Sequence, residues 1–237
     1  MRKITLITGA SRGIGAATAK IFANAGWNLQ LIARTGAELE AVATDCRSAQ
    51  VDVSTACIDL SDPLQIAPAV NQLINDGGTP SVVINNAGAA LTAPIGDTKL
   101  ETWQWLLQLN LTSVFQLCNA LLPNLRAQGG GLIINISSHA ARKAFAGWGA
   151  YCTTKAALAA YSRCLAEEEA AHGIRVSTLT LGSVNTPLWD SPTVRANFDR
   201  DAMLCPKRVA ETLLYMAQTP AQLLLEDLTL MPSGGTF

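Results

Sequence analysis

The chain has 237 residues, a formal net charge of −1 and a sequence pI of about 6.1. That is enough for one large α/β domain with a sizeable core, and it offers no basic footprint for nucleic acid. His139 and His172 are the only histidines, which argues against a histidine-based triad or a zinc site. The six cysteines (Cys46, Cys57, Cys118, Cys152, Cys164 and Cys205) show neither a C-x-x-C pair nor a metal-ligand spacing, so they read as reduced thiols of a cytoplasmic protein. The first apolar run begins at Ile4, and no targeting segment is expected before it.

That first run, Ile4-Thr-Leu-Ile-Thr8, is short and β-branched and reads as a buried strand. It leads into Gly9-Ala-Ser-Arg-Gly13-Ile-Gly15, and an Ala-rich helical pattern follows to about Ala25, closed by Gly26. Strand, glycine-rich turn and helix in this order make a dinucleotide site. Glycines admit a pyrophosphate close to the backbone, and the helix N-terminus offers free N–H groups and a positive dipole end. Further strand-like runs lie at 28–33, 53–59, 81–85, 131–137, 174–181 and 227–231, with helical patterns at 36–46, 64–75, 99–125, 151–172 and 207–218 between them. Such alternation predicts a Rossmann-like, doubly wound parallel sheet of about seven strands with helices on both faces, in one domain over residues 1–237.

The stretch from Thr102 to Leu125 is uncharged, but its Gln, Asn and Pro residues argue against a membrane span. It reads instead as one helix buried on more than one side. The least regular long stretch is Thr186 to Pro206, which suits a mobile lid over a site.

Tyr151 and Lys155 stand at i and i+4, which on a helix places both side chains on one face. A free phenol has a pKa of about 10, and a nearby cation favours its charged form. The pair therefore suits proton transfer to or from an alcohol or carbonyl oxygen. Ser138 lies thirteen positions upstream of Tyr151, with Ser137 as its neighbour and competitor.

Taken together, Thr8-Gly-Ala-Ser-Arg-Gly-Ile-Gly15, Asp59-Leu60, Asn85-Asn-Ala-Gly88, Asn110, Ser138 and Tyr151-x-x-x-Lys155 resemble the short-chain dehydrogenase/reductase superfamily in order and spacing along essentially the whole chain. The resemblance implies a single Rossmann-like domain that binds NAD or NADP and moves a hydride between nicotinamide and a carbonyl or alcohol carbon. It gives Tyr151 the acid/base role. Lys155 would lower the tyrosine pKa and bond the nicotinamide ribose. Ser138 would hold the substrate oxygen, and Asn110 would shape its helix and help hold a proton-relaying water. Gly9, Ser11, Arg12, Gly13, Ile14 and Gly15 would form the phosphate loop. Asp59 and Leu60 would meet the adenine, while Asn86, Ala87 and Gly88 would line the adenosine side. Thr186 would reach the carboxamide, with Val184 near it. One departure is Leu181-Gly182, where the family usually has Pro-Gly after its sixth strand.

No acidic residue closes the second strand. Ala33 stands there, followed by Arg34, and Arg12 lies in the glycine-rich loop; two guanidinium groups near one phosphate predict NADPH over NADH. The expected pocket wall is uncharged, drawn from Leu91, Thr92, His139, Ala140, Phe145, Trp148, Leu188 and Trp189, and suits a small, largely apolar carbonyl compound. The alternative is a 3-oxoacyl-[acyl-carrier-protein] reductase. Against it, the resemblance implies that members docking an acidic carrier do so through arginines near two helix ends, and here only Arg126 is offered, since the second end reads Glu167-Glu-Glu169-Ala-Ala-His172. A non-catalytic nucleotide-binding scaffold is the remaining alternative, disfavoured by the intact Ser138, Tyr151 and Lys155. Apolar residues on two faces of 102–125 and small ones along 151–172 predict a homodimer or homotetramer through these helices.

Overall fold

Strands buried on both faces read as near-continuous apolar runs, and the central strands of this chain do so around a few buried polar residues such as Gln30 and Asn135. Leu6, Ile7, Leu31, Ile32, Val83, Ile84, Ile133 and Ile134 are all fully buried. They belong to β1 (Ile4–Thr8), β2 (Asn28–Ala33), β4 (Val82–Asn85) and β5 (Gly131–Ser138); β3 (Val53–Cys57), β6 (Ile174–Leu181) and β7 (Asp227–Leu230) complete the sheet. The computed structural model describes residues 3–196 and 198–235; Asn197, inside the irregular 186–206 stretch, lies outside them. Among the described residues the sheet is parallel throughout, in the order β3-β2-β1-β4-β5-β6-β7.

Alternate strand residues face two helical layers. Ile7, Leu31, Ile84 and Ile134 pack with Phe22 of α1 (Gly13–Asn24), Leu39 of α2 (Gly36–Arg47) and Leu213 of α7 (Pro206–Gln218). On the other face, Leu6, Ile32, Val83 and Ile133 pack with Ile66 of α3 (Pro63–Gly77), Leu121 of α5 (Ser113–Ala127) and Leu158 of α6 (Gly149–Glu169). The result is the expected Rossmann-like α/β domain. Strand order reverses between β1 and β4, and in such sheets the crevice outside the strand ends at that switch point is where ligands bind.

Two expectations from the sequence change. The helix expected over 99–125 is present as a continuous run, but it carries a wide π turn (Gln108–Thr112) between α4 (Leu100–Leu107) and α5. The π turn carries Asn110, which is buried and bonded to groups on two other elements, so the extra residue serves to aim that side chain. The missing proline after β6 is also compensated. Leu181 stays in the strand, opposite Ser138 and Leu230, and the Gly182 N–H donates to the Leu230 carbonyl at 2.9 Å. A Cβ on Gly182 would lie 2.6 Å from Pro232 Cδ, so the second residue of that turn must be glycine.

Candidate active site

The loops that leave β1, β4, β5 and β6 all emerge at the carboxyl edge of the sheet, and they enclose one cavity of about 190 Å³. Ile14 of the glycine-rich turn lines one end with Asn86, Gly88 and Ala89. Ser138, Tyr151 and Lys155 form the middle. His139, Phe145, Trp148, Leu188, Trp189 and Phe198 close the other end.

The first end is built by backbone crowding. Gly9 and Gly13 take φ of +66° and +57°, which favour glycine. A Cβ on Gly15 would sit 2.1 Å from the Gly9 carbonyl oxygen. Thr8 ties this turn to the end of β4: its hydroxyl accepts from the N–H groups of Asn86 (3.0 Å) and Ala87 (2.9 Å), and its carbonyl accepts from the Asn86 side chain (2.9 Å). Helix α1 starts at Arg12 with no side-chain cap and no acidic residue in its first turn. Its N-terminal dipole end therefore faces no competing anion, and the turn fits a pyrophosphate.

In the middle, Ser138 terminates β5 and Tyr151 lies in the first turn of α6. Both Ser138 and Tyr151 line the cavity, and the Ser138 hydroxyl accepts from the Ala140 N–H at 3.2 Å. Ser137 also lines the cavity, but its hydroxyl is buried without a partner among the described residues. Burial pushes the Tyr151 phenol up, and the nearby Ser138 hydroxyl pulls it only part of the way back. Lys155 is buried one turn on; its ammonium donates to the Ile136 carbonyl at 2.9 Å and lies 5.9 Å from the Tyr151 ring centroid. Desolvation pulls Lys155 down to about 8.

Asn110 stands behind this group rather than on the cavity. Its amide donates to the Ala89 carbonyl (2.9 Å) and the Thr154 hydroxyl (3.0 Å), and its Oδ1 accepts from the Ala89 N–H (2.9 Å). Both amide hydrogens are committed to protein. The residue fixes the loop after β4 against α6, one position before Lys155.

At the aromatic end, Trp148 packs edge-on against Tyr151 (ring centroids 5.8 Å apart) and against Trp189 (5.9 Å), which in turn meets Phe198 (5.3 Å). Trp189 Nε1 donates to the Val184 carbonyl at 2.8 Å. Leu91 and Thr92, expected on the wall, are not on it. Thr92 instead clasps the 186–206 stretch: its N–H donates to the Thr193 carbonyl (2.9 Å) and its hydroxyl accepts from the Arg195 N–H (2.6 Å). Phe198, from the stretch expected to form a lid, and Ala89, which the sequence reading missed, take their place. No local pattern marks either one, since their position depends on how the two loops fold back.

The remaining candidates lie along the same sheet edge, away from the cavity. Arg12 and Arg34 are exposed, with Arg34 directly after Ala33. Ser11 is half-buried in the glycine-rich turn. Asp59 accepts from the N–H and hydroxyl of Ser61 (2.8 Å each), while the Leu60 side chain is buried in the core.

Residues 3–195 match the family model described as short chain dehydrogenase. The chain belongs to the short-chain dehydrogenase family. It is 34% identical to an uncharacterized oxidoreductase of Mycobacterium tuberculosis, across 98% of this chain and 91% of that one. A metagenomic short-chain oxidoreductase solved with NADP is 29% identical, with a TM-score of 0.85 over 98% of this chain and 97% of its own. An alcohol dehydrogenase from the archaeon Thermococcus sibiricus, solved with 5-hydroxy-NADP, is 27% identical, with a TM-score of 0.90 and the same coverage of each chain. The chain is thus an oxidoreductase of this family. Among the described residues no helix is long and apolar enough to cross a membrane.

Proposed function

We propose that the protein is an NADP(H)-dependent oxidoreductase that interconverts a carbonyl and an alcohol on a small, largely apolar substrate. The observation that carries this reading is that the hydroxyl residues Ser138 and Tyr151 line one cavity beside buried Lys155, in a wall that also carries Phe145, Trp148 and Trp189. A bound nicotinamide supplies or takes up the hydride. Ser138 holds the substrate oxygen by a hydrogen bond. Tyr151, kept neutral by burial, is the acid that reduction needs, and it gives its proton to that oxygen as negative charge develops there. With a nucleotide bound, Lys155 would donate toward its ribose and add positive charge near the phenol. Trp148, Leu188 and Trp189 exclude water and orient the apolar part of the substrate.

The cofactor preference rests on Ala33, Arg34 and Arg12. An acidic side chain at the end of β2 would bond a ribose 2′-hydroxyl and repel a 2′-phosphate, whereas two exposed guanidinium groups favour that phosphate. NADPH is expected to exceed NADH in kcat/KM by at least about tenfold, roughly 1.4 kcal/mol. A panel of small ketones, aldehydes and diketones, run with each cofactor and compared with acetoacetyl groups on carrier protein, tests both parts. Equal kcat/KM for the two cofactors overturns the first. A salt-sensitive preference for the carrier-bound substrate overturns the second. One observation already weighs against a carrier dock. Arg126, the cation available for it, is held by Glu169 through two hydrogen bonds, one of 2.8 Å from its Nε, and that carboxylate is only 2% exposed.

We also propose assembly through α5 and α6. Leu106, Val114 and Leu121 are covered within one chain, contrary to expectation, and Val114 and Leu121 pack in the core on the sheet. What stays open is Phe115, 47% exposed and edge-on to Tyr161 of α6, beside the exposed Ala156 and Ala160. Small residues on one helix and an aromatic on the next permit close approach of a second copy. Light scattering at micromolar concentration is expected to give a dimer or tetramer, and Phe115→Glu is expected to dissociate it; a wild-type monomer would count against this arrangement.

A further inference from the structure

Arg200 takes no part in the cavity wall, yet it is the most connected side chain of the stretch that follows β6. Its Nε donates to Asn185 Oδ1 at 2.9 Å, one terminal nitrogen to the Thr186 carbonyl at 2.9 Å, and the other to Asp190 Oδ1 at 3.1 Å. The Asn185 amide returns a bond to the Arg200 carbonyl at 3.2 Å. A planar guanidinium presents donors from three separate nitrogens and so reaches three acceptors spread along its fork, whereas the three donors of an ammonium all radiate from one nitrogen.

The three contacts differ in weight. Asp190 is 67% exposed, and an ion pair at such a site is worth little. Thr186 is the opposite case. It is 8% exposed, its hydroxyl caps the short 3₁₀ turn Pro187–Asp190, and its side chain packs on the phosphate turn: a Cβ on Gly13 would meet Thr186 Cβ and Cγ2 at 3.4 Å. The same peptide leads to Leu188 and Trp189 on the cavity wall. Among the described residues, none of the side-chain hydrogen-bond partners of Arg200 belongs to the sheet or to the two cores.

We propose that Arg200 is a positioning residue for the reaction. By fixing the Thr186 peptide it sets Thr186 against the glycine-rich turn, and with it the nicotinamide end of the site and the Trp189 wall. The proposal rests on the nucleotide-dependent function above, so the deciding readout is nucleotide binding rather than turnover. The probe is NADPH, or NADH if the wild type binds only that, titrated against tryptophan fluorescence, with melting temperature measured alongside.

For Arg200→Ala the dissociation constant is expected to rise by at least about fivefold while the melting temperature moves by less than about 2 °C. Arg200→Lys is expected to remain impaired, because one ammonium cannot bridge Asn185 and Thr186. Asp190→Asn keeps both of those bonds and is expected to stay within about twofold of wild type. Kinetically, Arg200→Ala should raise the KM for a carbonyl compound more than it lowers kcat. Wild-type nucleotide binding in Arg200→Ala overturns the proposal. So does a loss of binding matched by a collapse in melting temperature, or full rescue by lysine. A wild type that binds NADPH but reduces no carbonyl compound would sink the proposed function while leaving this test intact.

Discussion

Replacing Tyr151 with Phe is expected to lower kcat by about 10³-fold, within the range that positioned acid–base groups contribute. The ring survives the change, so its edge-on contact with Trp148 at 5.8 Å and the packing of α6 survive as well. Ser138 keeps its bond from the Ala140 N–H. The stability cost should therefore be no more than about 1 kcal/mol. NADPH binding should be nearly unchanged, because the hydroxyl acts on the developing alkoxide and not on the resting nucleotide. This separates Tyr151 from Lys155, whose removal should damage binding and turnover together. A Tyr151→Phe protein that keeps more than a few per cent of kcat would remove the tyrosine from the acid–base role. The burial that pushes the phenol up bears on direction too. It keeps Tyr151 protonated across neutral pH, which favours proton donation in reduction, and makes oxidation depend on added positive charge beside the ring.

The parts of this site that could be read in the sequence are those set by local spacing. Tyr151 and Lys155 share a face because four residues make about one helical turn. The glycine-rich turn follows from a strand, a run of small residues and a helix in immediate succession. The strand boundaries near 28–33 and 174–181 coincide with the sheet because the apolar runs there end where burial ends. What escaped the reading depends on contacts between distant residues. The π turn at Gln108–Thr112 leaves no mark in a stretch whose apolar pattern is continuous through it. Glu169 reads as one of three exposed acids, and only the approach of α5 to α6 buries it against Arg126. Thr92 reads as pocket wall, but a partner a hundred positions away in sequence turns it into a clasp. Arg200 sits in a stretch without periodicity, so nothing local hints that its three acceptors come together.

Gly15→Ala is expected to be the most damaging single-methyl change at the nucleotide end. The added Cβ would lie 2.1 Å from the Gly9 carbonyl oxygen and 2.8 Å from Asn86 Nδ2, far inside contact distance. Neither neighbour can yield freely. Gly9 is itself crowded, since a Cβ there would meet Ala87 Cα at 3.0 Å, and Asn86 is fastened to the Thr8 carbonyl. Relief must come from moving the start of α1 away from the turn, which spoils the alignment of its N-terminal N–H groups with a pyrophosphate. Overpacking of this kind costs about 2 kcal/mol, and if most of it falls on the bound state, the NADPH dissociation constant should rise roughly thirtyfold. The comparison variant is Gly96→Ala, where an added Cβ meets nothing within 4 Å and φ is not positive. It should bind NADPH as the wild type does and melt within about 0.5 kcal/mol of it. Fluorescence titration and thermal melting on the two variants decide the matter: if Gly15→Ala matches Gly96→Ala in both, the turn has room that this structure does not show, and the tight pyrophosphate cradle is wrong.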